Sequence, residues 1–436
     1  MTRLSSTPGD AAAPTSSKSG GPDAPLPGAR AALVVLLLIN LFNYIDRQVL
    51  AANLTPIEAQ LLPKNDPANK EWLGNLAMAF MVSYMVFAPL FAWLAGRFHR
   101  WKLVGVGVIL WSLASGASGL AGSFHAGSVG ATGFHLFVGT FGFLLVTRCF
   151  VGIGEAAYGP VAPTVISDLY PVKVRGSVLA WFYAAIPVGS ALGYTFGGLL
   201  GWPYAFYWVV PPGILLGLWC FFMPEPPVGQ ADPGAVVSRP VRVRDYLVLL
   251  RTPSYVLVTL GMAAMTFALG GIGHFMPDYI HGYKGVADLG RVNFVFGLIV
   301  VVAGLGATLL GGYVGDRLRP RFPGSYFLVS AAAMFLGFPL FVSVIYAPFP
   351  WAWGLIFLAC FCLFFNTGPT NTVLANVTHP AVRAQAFAVN IFVIHLLGDA
   401  VSPTIIGVIA RVYHYPDGRP NMDAGFLAVS GMILVG

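Results

Sequence analysis

The chain has 436 residues, of which 57% are hydrophobic and only 9% are charged, and its formal net charge is +7. Soluble domains carry about 25% charged residues, so this composition excludes a soluble globular protein and predicts that most of the chain lies in lipid. The Lys and Arg residues are scattered over short loops, which excludes the clustered basic surface of a nucleic-acid-binding domain.

The first thirty residues differ in composition from the rest of the chain. Ala, Pro, Ser, Gly and Thr predominate in residues 1–30, with a few scattered charges. The segment has no apolar core of the kind that a signal peptide contains, and its composition is typical of disorder. We therefore predict a disordered tail here rather than a targeting sequence.

Twelve apolar stretches follow, most of them long enough to provide the roughly 20 residues of a membrane-crossing helix. They cover residues 31–52, 72–95, 102–124, 134–168, 174–199, 203–223, 254–284, 289–315, 323–346, 350–378, 382–410 and 424–436. The pattern predicts an all-α integral membrane protein with twelve transmembrane helices. No metal-binding motif interrupts it, and we expect neither a metal nor a cofactor.

The loops between these stretches set the predicted orientation. Counted with the N-terminal tail, alternate loops carry 16 Lys and Arg residues on one side of the membrane and six on the other. The basic side favours the cytoplasm. We therefore expect both termini to be cytoplasmic, in a prokaryotic cytoplasmic membrane.

Two related halves are visible in the sequence. Residues 224–253 are polar and rich in Pro and Gly, which predicts a cytoplasmic linker between residues 31–223 and 254–436. "FAWLAGRFHRWK" follows the second span and "LGGYVGDRLRPR" follows the eighth, while "YPVKVRGS" and "HPAVRAQA" follow the fourth and the tenth. An internal duplication explains these echoes and predicts two pseudo-symmetric six-helix bundles.

Charged residues occur inside the first and fourth spans. Asp46 and Arg47 are neighbours in the first span, and Asn43 shares a face with them. Neighbouring side chains on a helix do not face each other, so we expect Asp46 and Arg47 to pair with Arg148 and Glu155 of the fourth span. Such residues cost about 2.5–3.5 kcal/mol each at the bilayer centre, which indicates a functional charge network; the alternative is a static ion pair that holds helices together.

This network could couple to protons. A carboxylate in a low-dielectric site favours its protonated form, whereas a nearby guanidinium favours the ionised form. Movement of the arginine during a conformational change would therefore invite a proton. We predict Asp46, and after it Glu155, as proton carriers.

Two later spans also carry polar side chains. His395, Asp399 and Ser402 recur at helical spacing in the eleventh span, where "GDAVSP" could instead set helix packing and a kink. Asn366 and Thr370 flank Pro369 in the tenth span, as in the broken helices that form transporter binding sites. The alternative for the tenth span is that Thr hydroxyls repair the backbone around the proline.

Several of these stretches resemble a known family. "GGYVGDRLRPR", "RCFVGIGEAAYGP" and "PVKVRGS" resemble signature segments of the major facilitator superfamily. The stretches "NYIDR", "RCFVGIGEA" and "HLLGDAVSP" are similar to the Spinster family of lipid transporters. The resemblance implies an amphipathic lipid substrate of the lysophospholipid or sphingosine-phosphate type, with Arg47 and Arg148 near its anionic head group.

The resemblance also implies a gate at the cytoplasmic side. In the superfamily an Asp of the signature loop caps a helix of the opposite half, and here Asp316, with Arg317 beside it, holds that position. Arg175 lies in the loop before the fifth span. The first half departs from the pattern because Gly96 stands where the Asp is expected, so the gate should be asymmetric, and Asp316→Asn should loosen it.

The sequence therefore predicts a monomeric secondary transporter that moves a lipid-like substrate with protons by alternating access, and not an enzyme. Two alternatives stay open. A proton-coupled transporter of small organic anions or drugs would use the same charges, and a non-transporting receptor or scaffold would not need them.

Overall fold

The computed structural model describes residues 26–123, 139–227, 248–378 and 383–436. Helices dominate these residues. Those of the first half are α1 (Ala29–Ala52), α2 (Leu54–Leu61), α3 (Asn69–Ala95), α4 (Arg100–Leu120), α5 (Thr140–Ala156), α6 (Ala162–Leu169), α7 (Val172–Leu200), α8 (Tyr204–Trp208) and α9 (Val210–Cys220). Those of the second half are α10 (Pro253–Gly282), α11 (Leu289–Leu318), α12 (Ser325–Tyr346), α13 (Trp351–Phe365), α14 (Thr367–Val377), α15 (Arg383–Ile394), α16 (Ser402–Val412) and α17 (Met422–Val435).

The prediction of an all-helical membrane protein is confirmed. Eight helical stretches of the described chain are long and apolar enough to cross a membrane, and Tyr204–Cys220 and Met422–Val435 are shorter apolar helices. Each of the twelve predicted spans coincides with one helix or with two consecutive helices. The boundaries proposed for the tail, the linker and the two halves stay predictions; residues 1–25 and 228–247 lie outside the described part of the chain.

Four spans consist of two helices each, and the breaks have local causes. Pro163 and Pro211 begin new helices at positions where a missing N–H costs little. In the tenth span α13 gives way to α14 at Asn366, just before Pro369. In the eleventh, a π-turn (His395–Asp399) separates α15 from α16, and Gly398 has non-helical φ/ψ angles of −104° and −110°.

The two halves meet along two seams, α7 against α11 and α3 against α16. Glycines bring the backbones together there. A Cβ added at Gly74 would lie 2.6 Å from the carbonyl oxygen of Pro403, and one at Gly297 would lie 2.8 Å from that of Ala191. Small residues allow such close helix approach inside membranes. Below, the "distal end" is the end where α1 stops and α3 starts, and the "linker end" is where α9 stops and α10 starts.

Candidate functional site

A cavity of about 380 Å³ lies between the two halves. Ligand pockets usually measure about 300–1,000 Å³. Its lining includes two arginines, two histidines and one carboxylate: Arg47, Arg148, His274, His395 and Asp399. Much of the remaining lining is apolar and comes from α10, α11 and α13 of the second half. The cavity therefore has both charged and apolar walls.

Arg47 on α1 forms an ion pair with Glu155 on α5. The nitrogens of the guanidinium lie 2.6 and 2.8 Å from Glu155 Oε2. Three aromatic rings, those of Tyr44, Phe80 and Tyr84, lie 4.8 to 5.7 Å from the centre of the guanidinium, within the range of cation–π attraction. The side chain of Asn43, on the same helix as Arg47, lies within hydrogen-bonding range of the Glu155 carboxylate.

Asp46 and Arg148 are linked through a serine rather than by a direct contact. Ser115 on α4 donates a hydrogen bond to Asp46 Oδ1. A terminal nitrogen of Arg148 donates to Ser118 Oγ at 3.1 Å and lies 3.5 Å from Ser115 Oγ. Arg148 is only 2% exposed and has no carboxylate within ion-pair distance among the described residues, and its Nε has no acceptor there. Arg148 is thus a buried cation held by hydroxyl groups.

The opposite wall of the cavity carries the π-turn of the eleventh span. His395 Nδ1 lies 2.9 Å from an oxygen of Asp399, and the His395 ring meets that of Tyr84 edge-on across the two halves. Gly270 on α10 makes room for the turn, because a Cβ there would overlap Asp399. The π-turn therefore places His395 and Asp399 on the side of the cavity that faces α1 and α3.

Polar contacts close the distal end of the cavity. Lys70, at the start of α3, lies 2.7 Å from Asp278 of α10 and 2.6 Å from Glu58 of α2. Thr55 also donates to Asp278, at 2.9 Å. Further hydrogen bonds and ion pairs join the halves from the middle of the bundle to this end: His274 with Leu73, Tyr194 with Gly273, Asn293 with Ala52, Thr404 with Asn75 and Met78, and Arg411 with Glu71.

Comparison with known proteins identifies the family to which this architecture belongs. Residues 36–403 match the Major Facilitator Superfamily model. The chain belongs to the major facilitator superfamily. It is 32% identical over 402 residues to the sphingosine-1-phosphate transporter SPNS2 of Danio rerio, covering 86% of this chain and 75% of that protein. It is also 32% identical over 394 residues to protein spinster of Drosophila melanogaster, covering 87% of this chain and 61% of that protein. Within the superfamily the chain is thus a member of the spinster family.

A solved structure shows the same fold. The crystal structure of a bacterial homolog to the human lysosomal transporter Spinster, in an inward-facing and unoccupied conformation, has a TM-score of 0.75 with this chain at 21% identity, and the match covers 94% of both chains. The predicted resemblance and fold class are confirmed. The protein is an integral membrane member of a transporter family.

In this spinster-family member, the pairing expected between the first and fourth spans is present for Arg47 and Glu155. Asp46 approaches Arg148 only through Ser115. Asp46 and Glu155 are each 1% exposed and do not belong to the lining of the described cavity. Both carboxylates therefore lie behind the cavity wall. Their predicted role as proton carriers stays a prediction.

Of the other polar candidates, His395 and Asp399 line the described cavity, whereas Asn43, Asn366 and Thr370 do not. Asn43 is buried beside the Glu155 carboxylate. Thr370 Oγ1 donates to the Asn366 carbonyl oxygen at 2.8 Å, which is the backbone repair that the sequence offered as the alternative for this span. A role of Asn43, Asn366 or Thr370 in substrate binding stays a prediction.

The predicted gate lies at the linker end. Asp316 is exposed and accepts a hydrogen bond from the Tyr326 hydroxyl at 2.6 Å. Arg317 is exposed in the same turn, and the side chain of Arg175 lies outside the described residues. Gating by these three residues stays a prediction.

Sequence reasoning missed three parts of the site. Ser115 belongs to a stretch of small residues on α4 that carries no charge. The rings around Arg47 are visible in the sequence only in part: Tyr44 lies three residues before Arg47 on α1, but Phe80 and Tyr84 come from α3. The Lys70–Asp278 pair joins residues 208 positions apart, so no local pattern in the sequence predicts it.

Proposed function

We propose that the chain is a proton-coupled transporter of an anionic, lipid-like amphipath, which it moves by alternating access. The observation that carries the proposal is the cavity between the halves. On one side it has Arg148, which is buried and has no carboxylate within ion-pair distance among the described residues, and on the other it has apolar walls. The relatives of this chain include sphingosine-1-phosphate transporters, which supports a substrate with a charged head group and an aliphatic chain.

The two cavity arginines have different parts in this proposal. Arg47 already has a carboxylate partner, Glu155, so an anionic head group would have to compete for it. Arg148 has hydroxyl partners and an Nε without an acceptor among the described residues. A buried cation gains most from a ligand that brings a negative charge and hydrogen-bond acceptors. We therefore assign head-group binding first to Arg148.

Asp46 and Glu155 supply the proposed proton coupling. Each is buried, and Asp46 Oδ2 has no hydrogen-bond donor among the described residues. A buried, incompletely solvated carboxylate favours proton binding. A head group that draws Arg148 away from Ser115, or a shift of Arg47, would remove the positive charge that holds these carboxylates ionised.

The proposal of alternating access rests on the position of the contacts between the halves. In the part of the chain whose side chains are described, the hydrogen bonds and ion pairs between the halves lie from the membrane centre to the distal end. Transporters with repeated halves alternate access by rocking one half against the other around a central site. With the linker end in the cytoplasm, this conformation would be the inward-facing one.

Uptake into proteoliposomes tests the proposal. The purified protein is exposed to labelled lysophosphatidic acid with and without an imposed pH gradient, which supplies about 1.4 kcal/mol per proton and pH unit. We expect gradient-driven uptake by the wild type and its loss in Asp46→Asn. Asp417→Asn, which removes a carboxylate from an exposed loop, is the control and should retain uptake.

The outcomes separate the alternatives. Gradient-driven uptake that survives Asp46→Asn would remove Asp46 from the coupling role. Competition by small organic anions or drug-like compounds but not by lysolipids would favour the second transporter class. The absence of any uptake, together with retained lysolipid binding, would favour a receptor or scaffold.

A further inference from the structure

Tyr84 of α3 lies between two helix breaks, one in each half. In the fourth span, α5 ends at Ala156 and α6 begins at Ala162, and a Cβ added at Gly159 between them would overlap the Tyr84 hydroxyl. In the eleventh span, the His395 ring of the π-turn lies 6.1 Å from the Tyr84 ring and meets it edge-on at 78°. Tyr84 therefore contacts the broken part of one span in each half.

The same ring belongs to the aromatic surroundings of Arg47. The centre of the guanidinium lies 5.7 Å from the centroid of the Tyr84 ring. Phe80, one turn earlier on α3, stacks on Tyr84 at 6.4 Å with an interplanar angle of 29°. Among the described ring contacts of the three aromatic residues around Arg47, the one between Tyr84 and His395 crosses to the second half. Because Arg47 also holds Glu155, a chain of contacts runs from the π-turn through Tyr84 to a buried carboxylate.

We propose that Tyr84 is a positioning residue for proton coupling, through which the π-turn acts on the ion pair of Arg47 and Glu155. The inference rests on the proposed function and adds the path by which a movement between the halves reaches the carboxylate. In the distally closed conformation the π-turn keeps the Tyr84 ring beside Arg47, and Arg47 keeps Glu155 ionised. When the halves rock, the π-turn leaves Tyr84, the ring releases the guanidinium, and the carboxylate accepts a proton from water.

The ring affects coupling because proton binding must differ between the two conformations. Two events are coupled only when one conformation favours the second event more than the other conformation does. One cation–π contact changes an equilibrium by about two- to thirtyfold. Without the Tyr84 ring, the hold of Arg47 on Glu155 depends less on the position of the π-turn, so part of that difference is lost. The halves still rock and exchange substrate, but a proton gradient drives less accumulation.

Two assays on the same proteoliposomes separate coupling from folding. Exchange of labelled for unlabelled lysophosphatidic acid needs no pH gradient, whereas accumulation of the labelled lipid does. For Tyr84→Leu we expect the ratio of accumulation to exchange to fall by about two- to thirtyfold. Tyr84→Phe keeps the ring and should keep the wild-type ratio. Tyr313→Leu is the matched control, because it makes the same substitution at a tyrosine of α11 that is 65% exposed, and it should also keep the ratio.

Gly159→Ala tests the same contact without changing Tyr84. The new Cβ would overlap the Tyr84 hydroxyl, whereas the nearest ring carbon is 3.3 Å away. Gly159→Ala should therefore displace the ring and lower the ratio of accumulation to exchange. Combination with Tyr84→Phe, which removes the hydroxyl, should restore the ratio, and a general folding defect would not be repaired in this way.

The outcomes separate this inference from the proposed function. Accumulation and exchange that fall by equal factors in Tyr84→Leu would give Tyr84 a packing role only and would overturn the inference. An unchanged ratio in both Tyr84→Leu and Gly159→Ala would overturn it as well, and both results would leave the proposed function intact. A wild-type protein that exchanges the lipid but never accumulates it, or that transports none, would overturn the proposed function itself.

Discussion

Ser115 is an uncharged member of the charge network, yet it contacts both unlike charges. It donates to Asp46 and lies 3.5 Å from a terminal nitrogen of Arg148. The sequence predicts the four charges because their cost in a membrane makes them conspicuous. It does not predict the serine, since a small hydroxyl inside a transmembrane helix usually bonds to its own backbone. Which Ser contacts a charge depends on helix rotation, and that is set by tertiary packing.

The first prediction concerns this serine. Ser115→Ala removes the donor to Asp46 and should lower the free energy of unfolding by about 1–3 kcal/mol, because a buried carboxylate loses its hydrogen bond. The thermal unfolding midpoint in detergent measures the effect. Ser112→Ala is the control, since Ser112 is also buried on α4 but donates to the Val108 carbonyl oxygen of its own helix. Equal midpoints for the two variants would remove Ser115 from the network.

At the scale of the helices, the apolar periods and prolines predict where spans begin and break, as at Pro369. They do not predict the π-turn of the eleventh span. There Gly398 packs against α10, and a Cβ added to it would lie 3.0 Å from the Thr266 side chain. They also do not predict that Lys70 has one carboxylate partner in its own half, Glu58, and one in the second half, Asp278. Packing between helices distant in the sequence determines both features.

The second prediction concerns the packing of α5 on α3. A Cβ added at Gly152 would overlap Ser83 and the Phe80 carbonyl oxygen, and it would lie 3.0 Å from the Tyr84 backbone nitrogen. Because backbone atoms cannot move aside cheaply, Gly152→Ala should cost about 1–3 kcal/mol of stability. Gly312→Ala is the control: nothing lies within 4 Å of that Cβ position, and Ala favours the helix by about 1 kcal/mol. A thermal midpoint for Gly152→Ala that equals the wild-type value would contradict the close contact.

The third prediction concerns the contact between α3 and α10. Asp278→Asn should weaken the distal closure, because Lys70 then keeps a carboxylate only from its own half. The distribution of distances between spin labels at the exposed Leu199 and Tyr346 should broaden and extend to longer distances. Glu58→Gln also removes one carboxylate from Lys70, but Glu58 belongs to the same half as Lys70, so this variant should keep the wild-type distance. Broadening in both variants would show that the distal closure depends on the total negative charge around Lys70, and not on whether the carboxylate belongs to the other half.

At the scale of the whole molecule, the duplication in the sequence predicts two bundles, and the structure adds an unequal division of tasks. The first half supplies the network of Asp46, Arg47, Arg148 and Glu155, whereas the second supplies the π-turn and much of the apolar cavity lining. The signature loops are unequal as well. Gly96 ends α3, while Asp316 in the matching turn of α11 binds the Tyr326 hydroxyl. The asymmetry of these loops is visible in the sequence; the asymmetry of the cavity walls depends on which face each helix presents.

This asymmetry leads to a prediction about the conformational equilibrium. If Asp316 holds the linker end shut in the alternate conformation by capping a helix of the first half, Asp316→Asn should favour the distally closed conformation described here. A charge at a helix terminus is worth about 0.3–1 kcal/mol, so we expect a two- to fivefold shift in the population ratio. The distance between spin labels at the exposed Val86 and Leu309 reports it, and the shift should shrink at high salt.

Two variants complete this experiment. Asp288→Asn makes the same substitution at the other end of α11, where Asn still caps the helix, and it should leave the distances unchanged. Gly96→Asp gives the first half the missing carboxylate, and space for it exists because the nearest atom to a Cβ there is 3.5 Å away. It should shift the population in the opposite direction to Asp316→Asn, since each acid stabilises closure at the linker end. If Gly96→Asp and Asp316→Asn shifted the population in the same direction, Asp316 would act within its own half, through Tyr326, and not as a gate between the halves.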